Sequence, residues 1–143
     1  MRRVLIKGGS RGIGEAIVEK FAANGYIVIA PSRSELDLSN KLSVKQYIET
    51  NMDTYFDVII NNAGFGLFGD YNSCDMLTEL EMIDVNIKAL HVLTRMYLKD
   101  MVKKDSEYIL NVGSSAGLLK GGPLMSCYYA TKSYVVDFTC ALY

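Results

Sequence analysis

The sequence has few cysteines, and they are placed in a way that narrows the protein's class. Cys74, Cys127 and Cys140 are odd in number and lack the spacing of metal ligands. This argues against a disulfide framework and against a cysteine-based metal site. We therefore expect free thiols in a reducing cytoplasm, with no bound metal.

The sequence also lacks a strong charge imbalance and a long hydrophobic run. Its 15 basic and 16 acidic residues are well mixed and give a formal net charge of -1, so neither a nucleic acid nor a membrane surface is the expected partner. The apolar run behind the basic N-terminus is broken by Lys7 and Gly8, too soon for a signal peptide or a membrane-spanning helix. With 143 residues, half of them apolar, the chain is predicted to form one domain with a hydrophobic core.

What the sequence does contain is a glycine-rich stretch behind a short apolar strand. The predicted strand, residues 4–6, runs into glycines with the spacing Gly8-x3-Gly12-x-Gly14, and a helical pattern opens at Ile13. Glycines let a backbone turn tightly and approach a ligand, and a helix N-terminus offers unpaired N–H groups to an anion. The stretch therefore predicts a diphosphate-binding turn, although a plain strand-to-helix turn has the same local pattern.

Short apolar strands and helices alternate along the rest of the chain. The helix after the glycines should end near Asn24 and Gly25, and Ser43 with Gln46 has the spacing of a capping box at the start of a short helix. Residues 36–38 either form a strand after a shortened crossover, which we favour, or no strand. The predicted strands are residues 4–6, 26–30, 36–38, 56–60 and 108–112, and the later helices span about 77–103 and 126–143.

This alternation predicts an α/β fold with a doubly wound parallel sheet covered by helices on both faces. In such a sheet, ligands bind at the carboxyl ends of the strands. The segments that reach this edge are the glycine turn, Ser32 and Arg33, residues 61–64, and Ser114 with Ser115. Their convergence favours a dinucleotide crevice over a plain turn.

Tyr128 and Lys132 lie four residues apart on the last predicted helix, so they share one face. A lysine ammonium near a phenol favours the phenolate, which helps a tyrosine to act as an acid or base near neutral pH. Such pairs also occur on helices by chance. Ser114, at a strand end in the same crevice, supplies a hydroxyl able to hold a substrate oxygen, and this favours a catalytic pair.

With these motifs in order, the sequence resembles the classical short-chain dehydrogenase/reductase family over essentially its whole length. The segments that carry the likeness are KGGSRGIG at 7–14, NNAG at 61–64, DVNIKAL at 84–90, NVGSSAG at 111–117 and YYATK at 128–132. Lys7 stands where the family usually has threonine. The resemblance implies a single Rossmann domain over residues 1–143 that binds NAD(P) and transfers hydride between the nicotinamide and a carbonyl or alcohol carbon.

The resemblance also implies roles for particular residues. Tyr128 is the proton donor, and Lys132 lowers its pKa while gripping the nicotinamide ribose. Ser114, with Ser115 as the alternative, polarises the substrate oxygen. Asn86 holds a water for proton relay, although a solvent-facing helical position is its plain alternative. The implied cofactor contacts, besides Tyr128 and Lys132, are Gly8, Ser10, Arg11, Gly12, Ile13, Gly14, Ser32, Arg33, Asp37, Leu38, Asn62, Ala63 and Gly64.

Charge after the second strand bears on the choice of cofactor. Ser32 and Arg33, with Arg11 in the glycine turn, would favour the 2′-phosphate of NADP(H), whereas an acid would hold the ribose hydroxyls of NAD(H). We therefore expect NADP(H) over NAD(H). Glu35 is close enough in sequence to leave NAD(H) open.

The sequence departs from the family's pattern in where it ends. A complete sheet of this kind has six strands, and the five predicted here are not followed by the sixth or by the segment that closes over the substrate. We therefore expect a truncated form of a longer reductase, which binds cofactor weakly and has little or no activity by itself.

The expected partners are a small carbonyl or alcohol substrate, edged by the loop at residues 118–125, and further copies of the chain. Family members are commonly dimers or tetramers joined through the helices that here contain Asn86 and Tyr128. The only histidine, His91, is expected at the surface or at a subunit contact. The alternative function is a non-catalytic dinucleotide-binding module, such as a redox sensor or a regulatory subunit.

Overall fold

In the computed structural model, which describes residues 1–103 and 107–142, strands and helices alternate along the chain. The strands are β1 (Arg3–Lys7), β2 (Ile27–Ile29), β3 (Val58–Asn61) and β4 (Tyr108–Asn111). The α-helices are α1 (Gly12–Ala23), α2 (Lys41–Asn51), α3 (Met76–Ile83), α4 (Leu90–Met101) and α5 (Ser126–Ala141). A π-helical segment, Asp84–Ala89, joins α3 to α4, and a 3-10 turn occupies Ser115–Gly117.

The four strands form one parallel sheet in the order β2-β1-β3-β4. The register pairs Lys7 with Asn61 and Asn61 with Asn111. The carboxyl ends of the neighbouring strands β1, β3 and β4 therefore lie level. Strand β1 is interior to the sheet, and its Val4, Leu5 and Ile6 are completely buried. The predicted α/β fold with a parallel sheet is confirmed.

The core divides into two layers, one on each face of the sheet, because successive strand residues point to opposite faces. The layer under α1 contains the strand residues Val4, Ile6, Val58 and Ile60. The other layer, under α2 and α4, contains Leu5, Leu36, Val44, Tyr47, Phe56, Ile59, Ala89, Leu93, Tyr97 and Met101. Helix α5 joins this second layer, where the Asn111 side-chain amide donates to the Thr139 hydroxyl at 2.9 Å.

The prediction of a strand at residues 36–38 is wrong, and with it the count of five strands. Backbone N–H groups in this segment bond locally: that of Leu36 donates to the Ser32 carbonyl at 2.9 Å, and that of Asp37 donates to the Ser43 hydroxyl at 2.9 Å. Leu36 is buried in the core without joining the sheet. The described residues therefore contain four strands, with a looped connection from β2 to α2.

The predicted capping box at Ser43 and Gln46 is also wrong. Helix α2 begins at Lys41, and the Asn40 side chain caps it by accepting from the N–H groups of Leu42 and Ser43 at 2.9 and 3.2 Å. Asparagine is among the strongest N-cap residues, so it captures the helix start three residues earlier. This leaves the Ser43 hydroxyl available to fix the Asp37 backbone.

The long helix predicted over residues 77–103 is present as α3, the π segment and α4 in direct succession. It begins at Met76 because the Asp75 carboxylate accepts from the Thr78 N–H at 2.8 Å. The π segment in its middle is not apparent in the hydrophobic spacing. The predicted end of the last helix, at Tyr143, lies outside the described residues.

Three further findings concern strand β4, the cysteines and the helices. On the α1 face of β4, Tyr108 and Leu110 are 67% and 50% exposed, so in the described part of the chain this face of the strand has no cover. The three cysteines are unpaired, which confirms the expected free thiols. Among the described residues, none of the helices is sufficiently long and apolar to cross a membrane.

The glycine turn after β1 depends on two close backbone contacts. A side chain at Gly8, which has a φ of +78°, would bring its Cβ within 2.7 Å of the Ala63 backbone. A Cβ at Gly14 would overlap the Gly8 carbonyl group.

The predicted end of α1 is confirmed, since the N–H of Gly25 donates to the Ala22 carbonyl at 3.0 Å in a glycine-terminated helix end.

We expect Gly14→Ala to lower the free energy of unfolding by about 3 kcal/mol or more, because the added methyl meets backbone rather than a movable side chain. Gly25→Ala is the matched control. Its φ of +77° makes alanine strained, but the space around it is open, so we expect a loss of about 1 kcal/mol. Urea unfolding monitored by circular dichroism measures both, and equal losses would contradict the steric argument.

Candidate functional site

A crevice of about 200 Å³ opens above the carboxyl end of β1. Its walls come from the glycine turn, from the loop between β2 and α2, from the loop after β3 and from the start of the long helix. The lining residues are Lys7, Gly8, Ser10, Arg11, Pro31, Arg33, Leu36, Asp37, Leu38, Gly64, Phe65, Glu81 and Val85. Seven of the predicted cofactor residues are thereby brought together, namely Gly8, Ser10, Arg11, Arg33, Asp37, Leu38 and Gly64.

Other predicted cofactor residues support the glycine turn rather than line the crevice. The Asn62 side-chain amide donates to the Gly8 carbonyl at 2.8 Å, and Ala63 packs against Gly8. Gly14 is buried beneath the same carbonyl. These three residues therefore fix the shape of the turn.

Gly12 and Ile13, also predicted as cofactor contacts, are exposed at the first turn of α1. A Cβ at Gly12 would meet nothing within 4 Å, so the space above this turn is open. A helix start with free N–H groups and open space above it suits an anionic group.

The loop after β2 already satisfies much of its own charge. The Arg33 guanidinium pairs with Glu81 at 2.9 Å and lies 3.6 Å from Asp37, and these carboxylates, Asp37 foremost, raise its pKa. The Glu35 carboxylate accepts from both the backbone N–H and the hydroxyl of Ser32 at 2.7 Å, which lowers the pKa of Glu35. Ser32 and Glu35 thus bind each other, and Arg33 remains 74% exposed at the mouth of the crevice.

Tyr128 and Lys132 lie on one face of α5, as predicted. The Lys132 ammonium is 5.9 Å from the centre of the Tyr128 ring and donates to the Val112 carbonyl at 3.0 Å. Lys132 is 6% exposed, and this burial lowers its pKa. The ring of Tyr128 lies close to Gly66, where a Cβ would come within 3.1 Å of it.

Asn86 is buried within the π segment, so the solvent-facing alternative is wrong. Its carbonyl oxygen accepts from the Phe65 N–H at 3.1 Å, and its amide donates to the Phe65 carbonyl at 2.9 Å. The same amide donates to the Thr131 hydroxyl on α5 at 3.1 Å. Asn86 therefore joins the loop after β3 to the helix that bears Tyr128 and Lys132.

Ser114 lies directly before the 3-10 turn and is half-buried, whereas Ser115 is exposed. The Ser114 hydroxyl oxygen accepts from the Ala116 N–H at 3.2 Å, which leaves its own proton free to be donated. The turn docks tightly on α5, since a Cβ at Gly117 would be 2.5 Å from the Lys132 carbonyl oxygen. Gly117 thus places the serine loop against the helix of Tyr128.

Gly64 connects this cluster to the crevice. It lines the crevice, and a Cβ there would lie 3.0 Å from the Asn86 carbonyl oxygen and 3.5 Å from the Lys132 ammonium. Gly64 therefore lies between the crevice, which carries two arginines, and the Lys132 ammonium, which is near the Tyr128 ring. Such an arrangement can bind an elongated anionic cofactor and protonate an oxygen beside it.

Several lining residues were not predicted from the sequence. Glu81 and Val85 reach the crevice because the loop after β3 carries the long helix back across it, which no local pattern reveals. Lys7 is not among the predicted cofactor residues, although a lysine at the end of an apolar strand is itself a signal. His91 is half-buried, with its Nδ1 2.6 Å from the Tyr134 hydroxyl on α5.

Comparison with known proteins agrees with the fold and the motifs. The profile of a family described as short chain dehydrogenase matches residues 34–143. The NADP-dependent 3-hydroxy acid dehydrogenase YdfG of Salmonella typhi is 32% identical over 162 residues, which cover 97% of this chain and 64% of that protein. The chain thus spans less than two thirds of the length of this relative.

Two solved structures are similar to the whole chain. A short-chain dehydrogenase from Sphingobium yanoikuyae in complex with NADPH has a TM-score of 0.90 and 25% identity, covering 99% of this chain and 65% of that one. A 4-hydroxyisoleucine dehydrogenase complexed with NADH has a TM-score of 0.89 and 24% identity, covering 99% and 68%. The second of these, at its lower identity, supports the fold alone.

We expect Asn86→Ala to lower the free energy of unfolding by about 2–3 kcal/mol, because it removes three hydrogen bonds and leaves the half-buried Phe65 backbone groups unpaired. Asn24→Ala is the control, since the Asn24 amide bonds to the Lys20 carbonyl at the surface and should cost under about 1 kcal/mol. Chemical denaturation measures both variants. A loss at Asn86 no larger than that at Asn24 would show that the buried bonds contribute little.

Proposed function

The chain belongs to the short chain dehydrogenase family, and we propose that the protein containing it is an NADPH-dependent reductase that converts a carbonyl into an alcohol. The observation that carries this proposal is the position of Gly64. One side of this residue lines the arginine-bearing crevice, and the other lies against Asn86 and Lys132. Binding groups for a dinucleotide and groups for proton transfer therefore adjoin.

The residues present fit a dinucleotide. The turn from Gly8 to Gly14 leaves open space above Gly12 for a diphosphate, and the crevice walls at Asp37 and Leu38 suit the adenosine end. Lys132 would hold the nicotinamide ribose. When bound, the cofactor supplies the hydride that adds to the carbonyl carbon.

The chain's own residues supply the proton. Ser114 would donate a hydrogen bond to the substrate oxygen, which polarises the carbonyl group. Tyr128 would then transfer its phenolic proton to that oxygen as negative charge develops there. The Lys132 ammonium, held by the Val112 carbonyl, stabilises the resulting phenolate.

Asn86 has a positioning role in this proposal. Its side-chain bonds to Phe65 and Thr131 occupy the amide, so the side chain holds the loop and α5 in register. The surrounding π segment displaces helix backbone groups from their usual partners, which suits the binding of a relay water by backbone.

The preference for NADP(H) is supported by charge. Arg33 and Arg11 border the crevice, and the carboxylate that could hold the NAD(H) ribose, Glu35, is bound to Ser32. The relative from Salmonella typhi is named as NADP-dependent, and the structure from Sphingobium yanoikuyae is a complex with NADPH. NAD(H) stays the alternative, since Glu35 follows β2 closely in the sequence.

Further parts of the proposal concern the substrate, assembly and location. The loop at residues 118–125 would edge the substrate site, and its exposed Leu118 and Leu119 favour an apolar substrate. Homo-oligomers would form through the helices bearing Asn86 and Tyr128. A cytoplasmic location and a low activity of the 143-residue chain by itself stay predictions.

In the natural full-length protein, we expect Tyr128→Phe to lower kcat for carbonyl reduction by about 100-fold or more, because the proton donor is lost. Binding of NADPH, followed by nucleotide fluorescence, should change little. Tyr129→Phe is the matched control and should retain its rate, because that ring packs on Gly122 instead. Full activity in Tyr128→Phe would overturn Tyr128 as the proton donor, whereas a wild type that binds NADPH but reduces no carbonyl would favour the non-catalytic dinucleotide-binding module.

We expect Arg33→Ala to raise the KM for NADPH by about tenfold to 100-fold, because a charge-assisted contact with phosphate is lost. The KM for NADH should stay almost unchanged. Arg2→Ala is the control, since Arg2 precedes β1 at the end of the sheet opposite the crevice. Steady-state kinetics with each cofactor measures the ratio. An equal effect on both cofactors would argue against a 2′-phosphate contact.

A further inference from the structure

Lys7 is a buried cation without a partner. It is the last residue of β1 and is 2% exposed, and its ammonium nitrogen has no hydrogen-bond partner among the described residues. A buried charge without a partner carries a large desolvation cost, which proteins normally avoid by pairing the group. A position that retains such a lysine therefore calls for an explanation.

The surroundings of Lys7 indicate what it would bind. The residue lines the crevice, beside two further cations, Arg11 and Arg33. Three basic side chains around one cavity form a site for a doubly charged anion. The other ionisable groups that share the crevice are carboxylates, Asp37 after β2 and Glu81 on α3, and both pair with Arg33 rather than with Lys7.

On the sheet itself, the neighbour of Lys7 carries no charge. Asn61 of β3 stands opposite Lys7 in the register, and its side-chain amide oxygen is likewise buried without a partner among the described residues. A bond from Lys7 to this oxygen is the structural alternative. It would satisfy one donor but would leave the positive charge uncompensated.

We infer that Lys7 is a third cationic contact for the 2′-phosphate of NADP(H), and that it takes up a proton when this phosphate binds. The inference rests on the proposed function and adds a residue to its cofactor specificity. Burial lowers the pKa of Lys7 to about 7 in the free protein. A phosphate in the crevice favours the ammonium form, so the pKa rises on binding and affinity falls as the pH increases.

The test compares two ligands that differ only in the 2′-phosphate, adenosine 2′,5′-bisphosphate and adenosine 5′-monophosphate. Binding is measured by calorimetry on the natural full-length protein and on Lys7→Met, which keeps the apolar stem and removes the charge. Lys20→Met, on the exposed last turn of α1, is the matched control. The titration of the ligand's own phosphate affects the wild type and the variants equally, so it cancels in the ratio of their dissociation constants.

We expect the wild type to bind the bisphosphate about tenfold more tightly than Lys7→Met at pH 6, equivalent to a rise of about one pKa unit on binding. The difference should shrink to near parity at pH 9, where the free amine is uncharged. The monophosphate should show no such difference at either pH. Lys20→Met should follow the wild type throughout.

A second measurement needs no variant. Calorimetry of the wild type near pH 7.5 in buffers of different ionisation enthalpy should detect an uptake of roughly half a proton with the bisphosphate, and less with the monophosphate. This readout keeps the inference testable if Lys7→Met fails to fold.

The failures can be told apart. If the bisphosphate binds but its pH profile is the same in wild type and Lys7→Met, the inference is overturned while the proposed function stands, and the bond to Asn61 becomes the better explanation of Lys7. If neither adenosine ligand binds the wild type, the proposed function itself fails.

Discussion

The arrangement of the whole site depends on one close approach of backbone at the glycine turn. The Gly8 carbonyl lies so near Gly14 that no side chain fits between them, and the same carbonyl accepts the Asn62 amide. This single oxygen thereby joins the end of β1, the start of α1 and the loop after β3. Because the loop after β3 is fixed there, Gly64 is fixed too, between the crevice and the side chains of Asn86 and Lys132.

A second constraint positions helix α5, and it is a buried polar contact rather than a loop conformation. The π segment turns Asn86 inward, where its amide bonds to both Phe65 and Thr131. On the other side of α5, Gly117 lets the serine loop rest on the Lys132 backbone. Helix α5, which bears Tyr128 and Lys132, is thus held from two directions.

How far the sequence could predict this structure depended on how local each signal was. The continuous apolar run in β1 and the glycines after it were sufficient to predict the strand, the turn and the helix. The strand prediction at residues 36–38 was wrong because Leu36 is buried, as a strand residue would be, while its N–H bonds to Ser32 instead of to a neighbouring strand. The π segment and the approach of Glu81 to Arg33 depend on how distant elements pack, and no sequence spacing expresses either.

The charges around the crevice explain why Lys7, of its three cations, would change its protonation most readily when a phosphate binds. Arg33 already has two carboxylate partners, at 2.9 and 3.6 Å, so much of its field is compensated before any phosphate arrives. Lys7 has no such partner, and burial both raises the cost of charging it and strengthens any interaction once it is charged. In the free protein, burial alone lowers the pKa of Lys7 to about 7. On the inference drawn above, a bound phosphate would raise this pKa and change the protonation of Lys7, whereas an arginine stays charged throughout.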